Sequence, residues 1–184
     1  DPFGHAESCP QRGSPPQPTA LVTEDQTETL RLIAVLPASM SRDDVTSWGI
    51  SLGYALRAGM RHCFMLDGTE IEFELEGPWP VEQDGLRYQR VALTFIDPSV
   101  SGSGYIARIA EDFHEVARHA IDHLDHPNCE TACYRCLKTY QNQRYHELLN
   151  WPLIVMDLHA LAADPPTRQP PELGDRDDPK PWLE

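Results

Sequence analysis

Apolar side chains recur along this chain with two different periods, and the switches between them outline the elements. Thr29 to Leu36 (TLRLIAVL) is short, rich in branched residues and stopped by Pro37, which predicts a strand. Val45, Trp48, Leu52, Ala55, Leu56 and Met60 then repeat at three- and four-residue spacing, a first amphipathic helix with Asp43 or Asp44 as its cap. Ile71, Phe73 and Leu75 alternate with Glu70, Glu72, Glu74 and Glu76, the pattern of a strand with one wet face, ended by Gly77-Pro78. Tyr88 to Ile96 (YQRVALTFI) is more continuously apolar and predicts a central strand ending in Asp97-Pro98. Ile106, Ile109, Phe113, Val116, Ala117, Ala120 and Leu124 form a single stripe, so one further helix is expected there. A last helix is expected over Arg144 to Ala163, with Pro152 near its start or kinking it. The order β-α-β-β-α-knuckle-α predicts an α+β domain: a small, largely antiparallel sheet with two to three packed helices.

Composition adds boundaries. Residues 1–20 and 164–184 are crowded with proline, so the first reads as an arm or linker and the second as an acidic tail, flanking a domain over 21–163. A start at Asp1-Pro2 rather than Met is what a piece of a longer polypeptide would show. No apolar run approaches the roughly 20 residues needed to span a bilayer. The formal charge of −14 excludes a surface that binds nucleic acid everywhere, so any phosphate contact must be local.

Three of the five cysteines lie in a C-x3-C-x2-C array, Cys129, Cys133 and Cys136. Zinc takes four tetrahedral ligands, and cysteines two or three residues apart let one tight turn deliver two thiolates to the same ion. That spacing suits a metal better than a disulfide framework and implies a reducing, cytoplasmic setting. His146 is the expected fourth ligand, with His126, Cys9 and Cys63 as alternatives. A closed site of this kind is structural, because catalytic zinc keeps a position open for water.

Other chemistry-bearing residues read less sharply. His114-Glu115 begins like a zincin helix, but His119 follows His114 by five residues, which turns the two rings about 140° apart on a helix. His119 and His123 have the spacing of shared ligands, and with Asp97 they define the competing reading, a metal-dependent hydrolase or nuclease. The loop Ser101-Gly102-Ser103-Gly104-Tyr105 sits where phosphate-cradling loops sit, yet lacks the full dinucleotide spacing and a Walker lysine. A third reading is a protein-interaction module that binds through its proline-rich ends.

From Thr131 to His146 there is no Asp or Glu, while Arg135, Lys138 and Arg144 are interleaved with Tyr134, Tyr140 and Tyr145. Cations between aromatic rings suit a single strand or a phosphate. Three thiolates, one neutral imidazole and Zn²⁺ sum to −1, so the patch stays cationic with the metal counted.

The run from about Phe95 to Leu158 resembles the zinc-binding domain at the C-terminus of MrfA-type helicases, and most of all the version in DrmB-like proteins of the DISARM antiphage defence system. Gly102, Gly104 and Tyr105, the array from Cys129 to Gln143 and the block His146 to Trp151 carry the resemblance. It implies a non-catalytic accessory domain of a superfamily-two DNA helicase or defence complex, contacting DNA or docking a motor subunit. The resemblance puts Cys129, Cys133 and Cys136 in the ligand role and a histidine at His146. Some relatives have a cysteine where this chain has Asn142.

Overall fold

In the computed structural model the described residues are 6–10, 12, 13, 15, 26–124, 126 and 128–163. The acidic tail and most of the proline-rich arm therefore lie outside the described residues. Three strands, β1 (Thr29–Pro37), β2 (Glu72–Gln83) and β3 (Leu86–Ile96), form one antiparallel sheet in the order β1-β3-β2. Among the described residues four α-helices accompany it: α1 (Arg42–Phe64), α2 (Tyr105–Glu111), α3 (Phe113–Leu124) and α4 (Val155–Ala163). This is the expected α+β architecture, and no helix among the described residues is long and apolar enough to cross a membrane.

The central position of β3 follows from its composition, since Val91, Ala92, Leu93 and Phe95 are all buried. β2 runs on past Gly77-Pro78, where the sequence predicts its end. A bulge between Glu76 and Trp79 lifts the pair out of the ladder, Gly77 takes φ 98°, and pairing resumes at Trp79 with Arg90. On an edge strand the missing proline N–H costs no ladder bond. The strands then join through Asp84 and Gly85, both at positive φ, the two-residue turn that suits twisted hairpins.

α1 is the centre of the fold. Ser41, rather than Asp43 or Asp44, caps it by accepting from the Asp44 N–H at 3.1 Å. Helical rotation of about 100° per residue sends its glycines to different faces. Gly49 and Gly53 lie against Leu75 and Phe73 of β2, while Gly59 meets the Val116 carbonyl on α3. A helix with this many small residues is thus covered on both sides, by the sheet and by α3. The expected second helix is two: the chain leaves helical geometry at Asp112 (φ −103°, ψ 27°), a poor helix former. The apolar stripe survives the break, with Ile106, Ile109, Phe113, Val116, Ala120 and Leu124 buried in one core.

The last element is shorter than expected. Residues Tyr140–Tyr145 and Trp151–Leu153 form 3-10 turns, and only Val155–Ala163 is α-helical. Side chains of α1 hold this irregular stretch. Ser47 and Ser51 donate to the Leu148 carbonyl, Ser51 accepts from the Asn150 N–H at 2.8 Å, and the Trp48 indole donates to Asp157 on α4 at 2.7 Å.

Asp97, at the end of β3, is buried. Its carboxylate accepts from the Ser99 N–H (2.8 Å), the Ser103 N–H (2.6 Å) and the Ser103 hydroxyl. Burial by itself would raise this carboxyl, but the hydrogen bonds from Ser103 and Ser99 outweigh it and hold it down at about 2. The loop amides that could have cradled a phosphate are committed elsewhere, since the Ser101 N–H donates to Gln26 and the Gly102 N–H to Ser99. Asp97 is therefore a structural pin. Because its folded-state pKa is depressed, its contribution is present above the ordinary carboxylate value of 3.8 and disappears as pH falls toward 2. Asp97→Asn is expected to cost about 2 kcal/mol at neutral pH, with the gap to the parent closing across that acid window. Chemical denaturation at pH 7 and pH 2.5 checks this, and a gap that does not change with pH would refute it.

Candidate metal centre

The knuckle forms between the end of α3 and the 3-10 turn at Tyr140. Its backbone is a pair of nested turns: the N–H groups of Cys136 and Lys138 both donate to the Cys133 carbonyl, at 3.1 and 3.0 Å. These turns aim the sulfurs inward and leave amides pointing at them, with Cys133 N–H to Cys136 Sγ at 3.2 Å and Arg135 N–H to Cys133 Sγ at 3.3 Å. Asn128 precedes the array at φ 66°, the left-handed conformation that asparagine tolerates better than most residues and that reverses the chain ahead of Cys129.

Four donor atoms converge here. His126, Cys129, Cys133 and Cys136 place their ligand atoms within 4.8 Å of one another, the one grouping of three or more metal donors among the described residues. Cys129 Sγ is 3.8 Å from Cys136 Sγ, which is 3.9 Å from Cys133 Sγ, and the His126 Nε2 lies 3.5 Å from Cys133 Sγ. A tetrahedral zinc with Zn–S bonds of about 2.3 Å and Zn–N bonds of about 2.0 Å requires sulfur edges of about 3.8 Å and a sulfur–nitrogen edge of about 3.5 Å. These three edges match a tetrahedral Zn²⁺ centre, the whole group spans no more than 4.8 Å, and the donor set leaves no open position for water.

His146 is not brought to these sulfurs. Its Nε2 lies 2.9 Å from the Thr139 carbonyl and 3.0 Å from Asn142 Oδ1, so the ring donates into the 3-10 turn. Asn142, fully buried, completes that turn by accepting from the Thr139 N–H and donating to the Leu137 carbonyl, both at 2.8 Å. Cys9 and Cys63 also lie outside the donor group. The signal for His126 in the sequence was its three-residue distance from Cys129; the signal for His146 was its place ten residues past Cys136, where a turn and half a helix could return it, together with a resemblance to relatives, and the 3-10 turn that its ring bonds to holds it away.

The surroundings fix the knuckle to the fold. His123 Nε2 donates to the Cys136 carbonyl at 2.9 Å, tying α3 to the site. The Trp151 indole donates to the Cys129 carbonyl at 3.1 Å, and the Trp151 N–H to Thr131 at 2.9 Å. Burial pushes the Cys129 thiol up to about 11, helped by its two neighbouring sulfurs. Cys133 is lowered, because hydrogen bonds from Arg135 and Cys136 outweigh its burial. Metal binding here must displace protons, which makes it part of the folding energy.

Residues 52–137 match the family model of the MrfA Zn-binding domain. The match begins inside α1, ends at the knuckle and includes all four donors. It supports an MrfA-type zinc-binding domain over this stretch, just under half of the chain, and with the donor geometry it makes Zn²⁺ the cofactor. No curated protein and no solved structure matches the chain. The remaining sequence-predicted residues flank or follow the knuckle: Tyr134 and Tyr140 are exposed by 68% and 83%, Arg135 and Arg144 are exposed, and Lys138 is half-buried. Tyr134 meets the His146 ring edge-on at 5.4 Å, and the Arg144 guanidinium lies 4.6 Å from the Tyr145 ring centre. His119 is exposed and His123 is committed to the knuckle backbone, so the two do not build a hydrolytic metal site.

Proposed function

We propose that this chain is a non-catalytic, zinc-stabilised accessory module of a superfamily-two helicase assembly, and that it contacts DNA through the shell of its knuckle, with Cys129, Cys133, Cys136 and His126 as the zinc ligands. One observation carries the DNA reading. Arg135, Lys138 and Arg144 form no ion pair among the described residues, although the chain holds 29 acidic side chains against 15 basic ones. Cations left unpaired beside two exposed tyrosines are suited to a strand whose phosphates meet the arginines and whose bases stack on the rings. The resemblance of the block His146 to Trp151 to DrmB-like proteins supports an antiphage-defence setting, in the cytoplasm and beside a motor on the same or another chain.

Charge reversal at Arg135 and Lys138 tests this. Each phosphate contact on a single strand contributes about 0.7 to the salt slope, so losing two contacts at about 0.1 M salt is expected to weaken binding by at least about twenty-fold. Fluorescence anisotropy with a labelled oligothymidylate reads the change. Unaltered affinity at low salt would leave the knuckle as a docking surface for the motor.

A further inference from the structure

A second cationic feature lies in a cleft of about 400 Å³ between the C-terminal half of α1 and the segment Cys136 to Gln141. Arg57 and Arg61 stand one helical turn apart on α1 and converge on Gly68. Arg57 donates to the Gly68 carbonyl, and a β-carbon built on Gly68 would lie 3.9 Å from the Arg61 guanidinium and 3.6 Å from the Gln141 side-chain oxygen. His62 and His123 close one end, their ring centres 5.0 Å apart. Thr139 and Gln141 add short polar side chains, and Leu66 and Leu137 supply buried apolar lining.

No carboxylate lines this cleft, and neither arginine forms an ion pair among the described residues. Like charges at i and i+4 on a helix repel, and the carboxylate that acts on Arg57, that of Glu72, stands outside the cleft lining, so the two cations face the cleft with no acid among the groups that line it. The Gly68 bond fixes one edge of the Arg57 guanidinium and leaves its other N–H groups to the cleft. Two neighbouring guanidinium groups, one of them held by the Gly68 carbonyl, are an arrangement that recognises phosphate oxygens through paired N–H donors. The volume falls within the roughly 300–1,000 Å³ of small-ligand clefts, so a phosphate and part of its sugar can both be accommodated.

We propose that the cleft is a phosphate-binding site that grips the backbone of a nucleic-acid strand through Arg57 and Arg61. The inference rests on the DNA-contacting reading above and extends it: the strand touches two places, the aromatic-cationic shell of the knuckle and this cleft. Arg61, exposed and without a structural bond, provides the specific contact, while Arg57 positions it and shares the charge.

The test uses the full zinc-loaded chain, a labelled oligothymidylate, inorganic phosphate as a second probe, and the variants Arg61→Gln and Arg57→Gln/Arg61→Gln, with zinc content and thermal unfolding measured alongside. At about 0.1 M salt, strand affinity is expected to fall about five-fold for the single variant and about twenty-fold for the double, with the salt slope reduced by about 0.7 and 1.4. Arg61→Gln keeps the test readable if loss of the Arg57–Gly68 bond unfolds the double variant. Unchanged affinity and slope in Arg61→Gln, while the Arg135 and Lys138 reversals still weaken binding, would overturn the cleft and leave the wider reading standing. A parent chain that binds no strand at low salt would sink both. Inorganic phosphate that shifts the Arg57 and Arg61 guanidinium resonances in a chain without strand affinity would make the cleft a small-anion site and refute the proposal as stated.

Discussion

Cys136→Ser is expected to abolish tight zinc binding and to loosen the C-terminal third of the chain while leaving the sheet and α1 folded. Cys136 is the most buried of the four donors, and both its carbonyl and its sulfur are used, the first by His123 and the second by the Cys133 N–H. Structural zinc sites in small peptides contribute on the order of 10 kcal/mol to folding. Here the antiparallel sheet and the α1–α3 packing have their own core, so only the segment secured by metal should respond, by more than about 3 kcal/mol. Hydrogen exchange should rise from Cys129 to Leu153, where backbone groups depend on Trp151, Asn142 and the knuckle turns, and stay slow in β3. The histidines separate within the same experiment. His126→Ala should weaken zinc retention by at least about ten-fold, whereas His146→Ala should keep one zinc and disturb only the 3-10 turn that its ring supports. Zinc lost from the His146 variant and kept by the His126 variant would reverse the assignment of the fourth ligand.

The contrast between those two histidines marks the limit of what the sequence discloses. Periodicity located β1, α1, β3 and the apolar stripe of α2 and α3, because each buries a regular face against the same core. The cysteine spacing located the knuckle, because thiolates two and three residues apart have few other uses. What periodicity could not disclose is the path from Thr139 to Leu153. That path is set by side chains bonding to backbone: Asn142 to Leu137 and Thr139, Ser47 and Ser51 to Leu148 and Asn150, Trp151 to Cys129. Such bonds leave no periodic trace, so a stretch with enough leucine reads as helix. The break at Asp112 was hidden for the opposite reason, since the stripe continues across it. The Arg57–Arg61 cleft was invisible because one wall is helix and the other is the knuckle, and only the fold brings Gly68 and Gln141 between them.

Gly59→Ala is expected to be among the most damaging single-methyl additions in the chain. A β-carbon at this position would lie 2.2 Å from the Val116 carbonyl oxygen and 3.1 Å from the Ala120 nitrogen. Both are backbone atoms of α3, so neither can swing aside and relief requires moving the whole helix. In an unconstrained helix the change would gain about 1 kcal/mol from reduced backbone freedom in the unfolded chain. Overpacking of this severity outweighs that gain, for a net loss of about 3 kcal/mol and a fall in Tm of roughly 9 °C for a chain of this size. The effect should also reach the metal. α3 carries His123, whose ring holds the Cys136 carbonyl, so displacing α3 draws this support away from the knuckle and should weaken zinc retention although no ligand has been altered. Gly68→Ala is the control: its added carbon would meet neighbours at 3.6–3.9 Å, ordinary contact distances, and it should leave Tm and zinc content unchanged. Scanning calorimetry with a competing chelator reads both quantities. A Gly59→Ala chain as stable as the parent would mean that α1 and α3 are farther apart than the structure places them, and the mechanical link from helix packing to metal site would have to be abandoned.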